Sequence, residues 1–161
     1  RVSGIMRVMS TAPSRRTAFP LDPTLDFLRL LWAIEHALQR RSKRMERDLG
    51  ITGPQRLVLR VVGTYPGISA GDLASVVRLH PSTITGILQR LAARGLLNRA
   101  PDPADNRRLR LSLTAAARQY TRSAHGTVEG AVTQTLRRMG DAKVRVARKV
   151  LFAVAEELDL S

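Results

Sequence analysis

The segment from Pro81 to Arg94 constrains the fold more than any other part of this chain. It reads PSTITGILQRLAAR, and its large apolar residues recur at i, i+3, i+4 and i+7. These residues are Ile84, Ile87, Leu88 and Leu91. This spacing puts them on one stripe of an α-helix. The segment therefore predicts a helix that packs through one face and presents the other to its surroundings.

The outward face of this helix carries small hydroxyls, a glycine and an amide, and it contains no acid. Its candidate DNA-binding residues are Ser82, Thr83, Thr85, Gly86, Gln89 and Arg90, with Thr83 and Arg90 at the edges. Such groups can hydrogen-bond to base edges in a DNA major groove. Arg90 and Arg94 flank the face, where they can reach phosphates. An ordinary amphipathic surface helix has the same spacing, so the rest of the chain must distinguish the two interpretations.

Composition indicates a polyanionic partner. The 161 residues carry a formal net charge of +14, which favours nucleic acid or an anionic membrane surface. No apolar run is long enough to span a bilayer, and the N-terminus lacks the apolar core of a signal peptide. We therefore expect a cytoplasmic protein without a membrane partner. The absence of cysteine excludes disulfides and thiolate zinc sites, and 4% aromatic residues argues against single-strand binding by base stacking.

The N-terminal part divides into an arm and a helix. Residues 1–21 lack periodicity, and we expect either a disordered basic arm or residues that precede a natural start at Met6 or Met9. Residues 22–50 predict one long dimerisation helix. Asp22 caps it, Pro23 occupies its first turn and Gly50 ends it.

Residues 51–114 predict a DNA-binding lobe. Thr52 and Ser69 each begin a capping-box pattern, which predicts helices from Thr52 to about Val62 and from Ser69 to Leu79. In the latter helix we expect four buried positions, Leu73, Ala74, Val76 and Val77. A short turn then leads into the helix that begins at Pro81. Two helices joined in this way form a helix-turn-helix, whose second helix enters the major groove.

A β-hairpin is predicted directly after this motif. Residues 96–100 and the alternating residues 109–113 have strand character, and PDPADNRR between them is rich in turn formers. The expected tip carries Arg107 and Arg108, which can enter a minor groove. Asp102 or Asp105 can hold the loop and orient Arg107. A solvated tip with an internal ion pair is the compatible alternative.

Residues 115–161 predict two further helices, from Ala115 to Arg138 and from Asp141 to Leu158. The long terminal helices lack a second layer within one chain, so we expect them to pack against a second copy. The predicted fold class is mainly α with a small β-hairpin wing. It is a winged helix-turn-helix with long N- and C-terminal dimerisation helices.

The order of these elements resembles the MarR (multiple antibiotic resistance regulator) family of winged-helix transcription factors. The matching segments are ITGPQRLVL at 51–59, GISAGDLA at 67–74, LHPSTITGILQRLAARGLL at 79–97 and DPADNRRLRLSLT at 102–114. The resemblance implies a homodimer that binds palindromic double-stranded DNA. It also implies repression relieved by a small anionic or phenolic ligand. In the family's wing pattern, Arg107 enters the minor groove and the aspartates Asp102 and Asp105 brace it.

Several positions depart from the family pattern. His80 stands where a serine often precedes the recognition helix, and it is a poorer cap. Asn106 replaces a basic residue before Arg107, and Gly86 replaces a larger side chain, which changes base choice. The lack of cysteine rules out the branch of the family that senses oxidants through thiols.

Three functions remain to be weighed. The first is a ligand-responsive dimeric repressor, and the alternative is a non-specific architectural DNA-binding protein that uses the same charge. An enzyme is disfavoured, because the three histidines, His36, His80 and His125, are scattered and no catalytic arrangement or phosphate loop is present. We therefore assign no catalytic residue, no metal ligand and no cofactor.

Overall fold

The computed structural model describes residues 19–103 and 105–159, without the side chains of Asn106 and Arg107. Most described residues are helical, and the only sheet pairs two strands within this part of the chain. The elements are α1 (Pro23–Leu49), α2 (Gly53–Thr64), α3 (Ala70–Val77), α4 (Pro81–Ala93), β1 (Leu97–Asp102), β2 (Asp105–Leu113), a 3-10 turn (Ala116–Arg118), α5 (Gln119–Arg122), α6 (Val128–Met139) and α7 (Asp141–Asp159). The predicted fold class is confirmed. The predicted N-terminal arm lies almost entirely outside the described residues.

Local signals set the helix boundaries. The Asp22 carboxylate accepts the backbone N–H of Thr24 at 2.9 Å and so caps α1. Thr52 and Gln55 form the reciprocal capping box of α2. Gly50 has a φ of +67°, a left-handed conformation that ends α1 and suits glycine. These boundaries were predicted from the sequence.

The apolar core lies between Ile51 and Ala117, inside α2, α3, α4 and the hairpin. The predicted stripe of α4 is buried, since Ile84, Ile87, Leu88 and Leu91 are each at most 4% exposed. In α3, Leu73 and Ala74 are buried as predicted, but Val76 is 54% exposed and this prediction was wrong. Val77, four residues after Leu73, packs against the core, whereas Val76 lies on the side of α3 that faces away from it.

The helix-turn-helix forms as predicted, with an unusual turn. Arg78 ends α3 in the left-handed region at φ 52°, and its N–H bonds to carbonyls of the preceding turn. His80 then caps α4, because its Nδ1 accepts the backbone N–H of Ser82 at 3.3 Å. The imidazole thus supplies the acceptor that a serine would otherwise provide.

The hairpin is longer than predicted, and its tip lies elsewhere. Register runs from the pair Leu97–Leu113 to the pair Pro101–Leu109, and then shifts so that Asp102 lies opposite Asp105. The turn therefore falls between these two aspartates. Arg107 and Arg108, which we expected at the tip, lie within β2, in the stretch where the register shifts. The turn-forming composition misled the prediction, because a bulged strand accommodates such residues.

A short third segment extends the hairpin towards α3. The N–H of Gly67 donates to the carbonyl of Leu111 at 2.8 Å, and the N–H of Leu111 donates to Ile68 at 3.1 Å. Ser69, the cap of α3, also forms an isolated antiparallel bridge with Arg110. These bonds attach the wing to the start of the helix-turn-helix.

The predicted helix from Ala115 to Arg138 is interrupted. The 3-10 turn and α5 end at Arg122, and α6 begins only at Val128. Gly126 has a φ of +74°, and the Thr127 hydroxyl accepts the N–H of Gly130 at 3.0 Å as a new N-cap. A glycine followed by a threonine cap indicates that one helix ends and another begins. The prediction of one continuous helix gave more weight to the helical periodicity than to this signal.

The described residues divide into two compact units within α1, one that ends at His36 and one that begins at Ala37. The long helices bury little in a single chain, since Met45 is the only buried residue of α1, and α6 and α7 have none. None of the described helices combines the length and the hydropathy that a membrane span requires.

Candidate nucleic-acid interface

The outward face of α4 is exposed and supported from below. Ser82, Thr83, Thr85, Gln89 and Arg90 are exposed, and Gly86 is half-buried. The buried stripe on the opposite side fixes the rotation of the helix, so this set is brought together as the sequence predicted. The face carries no carboxylate, so nothing on it repels a phosphate backbone.

Two hydroxyls of this face are oriented by local hydrogen bonds. Thr85 Oγ1 donates to the carbonyl of Pro81 at 2.9 Å, so its lone pairs remain available to accept a hydrogen bond. Ser82 Oγ lies 2.7 Å from His80 Nδ1. Both side chains are therefore held in place before any partner approaches, which lowers the entropy lost on binding.

The two arginines that flank the face differ in their surroundings. Arg94 stacks on the Tyr120 ring at 5.6 Å, and its Nη2 lies 3.3 Å from the phenol oxygen. Arg90 instead lies along the helix over Gly86, where an added Cβ would be 3.8 Å from both of its Nη atoms. Only Arg90 therefore has its guanidinium on the outward face.

The wing is tied to α3 by an ion pair. Arg108 Nη2 contacts Asp72 Oδ2 at 2.9 Å and Ser69 Oγ at 3.1 Å, and both partners of the ion pair remain more than half exposed. Arg108 therefore orients the wing as well as contributing positive charge to it. The capping-box pattern identifies Asp72 from the sequence, but no sequence pattern predicts its ion pair with Arg108.

The aspartates of the wing were predicted to brace Arg107. Asp102 is 18% exposed at its side chain and accepts from Arg110 Nε at 3.0 Å. This pair spans β1 and β2 and holds the outer part of the hairpin together. Arg110 was missed as a partner, although an arginine in an alternating strand is a signal for a cross-strand pair. The bracing of Arg107 by Asp102 or Asp105 stays a prediction, because the Arg107 side chain lies outside the described residues.

A cavity of about 660 Å³ lies beside this lobe, between the later part of α1, α2 and α6. Its apolar lining includes Leu38, Met45, Leu57, Val61, Val128 and Val132. Leu57 is 46% exposed because it faces this space and not the core. These lining residues could not be identified from the sequence, since their helical spacing is equally typical of core positions.

One wall of the cavity is formed by a buried arginine. Arg56 is 4% exposed and binds Glu129 through Nη2 at 3.0 Å, and it also donates to the carbonyls of Tyr120 and Ser123. Arg60 contacts the same carboxylate at 3.3 Å. This charge network joins α2 to the break between α5 and α6, so it couples the lobe to the C-terminal helices.

Comparison with known proteins agrees with this architecture. The model of the MarR family matches residues 51–109. The HTH-type transcriptional repressor Rv2887 of Mycobacterium tuberculosis is 26% identical over 122 residues, which cover 76% of this chain and 88% of that protein.

Solved structures show the same fold. The PcaV transcriptional regulator from Streptomyces coelicolor, in complex with its natural ligand, superposes with a TM-score of 0.69 at 26% identity, over 86% of this chain and 97% of that one. The S. aureus MepR–DNA complex gives a TM-score of 0.67 at 18% identity, over 82% of this chain and 97% of that one. Together with the helix-turn-helix and the wing described above, these similarities show that the chain resembles the winged helix-turn-helix regulators of the MarR family, whose family model matches its DNA-binding lobe.

Proposed function

We propose that this protein is a sequence-specific, double-stranded DNA-binding transcriptional regulator. It acts as a homodimeric repressor of palindromic operators and is released by a small-molecule ligand. The observation that carries the proposal is the outward face of α4, which is exposed, free of acid and rigidly supported by four buried residues. The relatives favour the same function, since Rv2887 is named a transcriptional repressor and MepR was solved with DNA.

In this proposal each element has a separate role on DNA. The hydroxyls and the amide of α4 contact base edges in the major groove. The wing carries Arg107 into the adjacent minor groove, while Arg108 keeps the wing against α3 through Asp72. The net charge of +14 attracts the duplex over a longer range.

Exposed apolar side chains support the dimer. On α7, Leu151 is 46% exposed, and Leu158, seven residues later on the same helix face, is 69% exposed. On α6, Val132 and Leu136 are similarly exposed. Long helices with such faces are stable in water when a second copy covers them. Two copies would present two α4 helices to successive major grooves of a palindrome.

The cavity beside α2 supports release by a ligand. Its volume of about 660 Å³ and its mainly apolar lining suit a small aromatic molecule. Arg56 and Arg60 can attract an anionic or phenolic oxygen, but only in competition with Glu129. A ligand that disturbs this network would shift the joint between the lobe and the C-terminal helices, and so change the spacing of the two reading helices. No cofactor is part of the proposal, and the cytoplasmic location follows from the DNA partner.

The first experiment is selection from a random-sequence duplex library by the purified protein at near-physiological salt. We expect an inverted repeat with half-sites about one helical turn apart. A repressor should prefer this site over random duplex by about three or more orders of magnitude. Recovery of an unsorted library, with binding that falls steeply as salt rises, would instead support the non-specific architectural alternative.

The Arg107→Ala variant tests the wing. Loss of a minor-groove contact should weaken binding to the selected site by on the order of 1–3 kcal/mol and leave dimerisation unchanged. The check is a titration of labelled operator, together with sedimentation of the free protein. Loss of the dimer in this variant would contradict the assigned role.

A further inference from the structure

We infer that Arg90 reads a guanine in each operator half-site, and that Gly86 provides the space from which it does so. The inference rests on the proposed function, and it names the nucleobase that α4 recognises. It also revises the role that the sequence suggested for Arg90, which was a contact to phosphate from the edge of the face.

The position of the guanidinium carries the inference. Side chains on a helix lean towards its N-terminus, so a residue at i+4 lies over residue i. Arg90 follows this rule and lies over Gly86, with Nη1 and Nη2 equally distant, at 3.8 Å, from the place of a Cβ on that glycine. The two nitrogens therefore form a fork on the outward face, and not at its rim.

Arg90 is also free to bind. Within residues 19–103 and 105–159 the Arg90 guanidinium has no hydrogen bond, ion pair or ring contact, whereas three other arginines of the lobe are engaged. Arg94 contacts Tyr120, Arg78 stacks on Phe152 at 4.5 Å, and Arg108 pairs with Asp72. An arginine with these contacts must break them to reach DNA, but Arg90 need not.

The fold does not need a glycine at position 86. An added Cβ would meet only the end of the Arg90 side chain, at an ordinary contact distance, and the φ of Gly86 is not in the left-handed region. A glycine inside a helix nevertheless lowers its stability relative to alanine. We therefore assign the benefit of Gly86 to DNA recognition. Without a side chain at position 86, the Arg90 guanidinium can lie close to the helix backbone, and a base edge can approach it.

The chemistry of the fork selects guanine. Guanine presents two acceptors, O6 and N7, side by side in the major groove, whereas adenine presents one acceptor and one donor. A guanidinium has only donors, so it satisfies guanine with two bonds and leaves the adenine amino group opposed by another donor. The amide of Gln89 carries one donor group and one acceptor, a pair that suits adenine, and the hydroxyls accept either pattern. Selection of guanine on this face therefore falls to Arg90.

The test repeats the duplex selection with Arg90→Ala and, as a matched control, Arg94→Ala. Both changes remove one positive charge from the same end of α4. We expect the unchanged protein to select one guanine at a fixed place in each half-site. Arg90→Ala should lower the preference for that guanine by about 5- to 150-fold, the equivalent of 1–3 kcal/mol. Arg94→Ala should keep it.

Gly86 is tested in the same selection with Gly86→Ala and Gly86→Leu. Alanine should retain the guanine, because its Cβ fits beneath Arg90. Leucine should displace the guanidinium and abolish the preference, while the variant unfolds at a temperature no lower than that of the unchanged protein. A second measurement, affinity for a duplex with this guanine replaced, should show no further loss in Arg90→Ala.

Two results would overturn the inference. The first is an even loss of affinity for all sequences in Arg90→Ala, with a decrease of about one in the slope against log salt, which indicates a phosphate contact. The second is a selected motif whose guanines do not depend on Arg90. If the unchanged protein selects no motif, that result contradicts the proposed function itself, and the inference about Arg90 falls with it.

Discussion

Two helical glycines in this protein differ in whether the space beside them could hold a side chain. Gly86 faces outward, and an added Cβ there would make only an ordinary contact with Arg90. Gly130 lies in the first turn of α6, where an added Cβ would overlap the carbonyl oxygen of Ala124. The sequence shows two glycines in helical segments but not this difference, because it depends on a neighbour across the break between α5 and α6.

Replacing Gly86 should therefore stabilise the protein. Gly86→Ala removes the entropy cost of glycine in a helix without a clash, so we expect a gain of about 0.5–1 kcal/mol in the free energy of unfolding. Chemical denaturation at fixed protein concentration measures this change. A loss of stability would show that the backbone at this position is constrained in a way that the contacts do not indicate.

Replacing Gly130 should do the opposite. Gly130→Ala forces the chain between α5 and α6 to move away from α6, and we expect a loss of about 1–3 kcal/mol by overpacking. The same denaturation experiment checks it. Gly71→Ala is a useful control, since an added Cβ there would meet only Ser69 Oγ at 4.0 Å. An unchanged midpoint for Gly130→Ala would mean that this junction yields without cost.

At the scale of elements, the sequence predicts helices with clear caps well and irregular segments poorly. α1, α2, α4 and α7 begin and end close to the predicted residues because Asp22, Thr52 and the glycines act locally. The register shift in the wing and the break after α5 are not local. They depend on the bridge from Ser69 to Arg110 and on carbonyls that bind Arg56.

The burial of Arg56 on α2 could not be predicted from the sequence. Arginine is rarely buried unless paired, and nothing in the spacing around Arg56 distinguishes it from Arg60. Yet Arg56 is almost fully covered, whereas Arg60 is about half exposed. Burial of one and not the other follows from where α5 ends.

We expect Arg56→Ala to destabilise the protein by on the order of 2–4 kcal/mol. The change leaves Glu129 without its buried partner and two carbonyls without a donor, and the partial exposure of Glu129 moderates the loss. Arg60→Ala breaks a contact to the same carboxylate near the surface, and it should cost about 1 kcal/mol or less. Thermal unfolding of the two variants compares them, and equal losses would contradict the burial argument.

For the whole molecule, the sequence predicts association from helices that have no second layer. The burial pattern of one chain gives this expectation a physical basis, since the buried core ends at Ala117 while α6 and α7 bury no residue. The sequence of α7 has an apolar seam at helical spacing, formed by Val144, Ala147, Leu151, Val154 and Leu158. The partner's position is not encoded in any local spacing, which is why this seam alone could not define the interface.

A charge on this seam should separate the copies. Leu151→Glu places a carboxylate on an apolar face that is 46% exposed in one chain, so we expect the dimer to dissociate at micromolar concentration and operator binding to fall. Sedimentation velocity measures the mass. Lys149→Glu is the control, because positions two residues apart do not share a helix face. Dissociation of both variants alike would point to general charge repulsion and not to this seam.

The separation of α4 into a buried stripe and an outward face has an evolutionary consequence. The residues that hold the helix in place, Ile84, Ile87, Leu88 and Leu91, are not those that face outward. Substitutions on the outward face therefore alter which promoters are recognised without lowering the stability of the scaffold. A duplicated gene can diverge towards new targets through a few such changes, and a designed regulator can follow the same route.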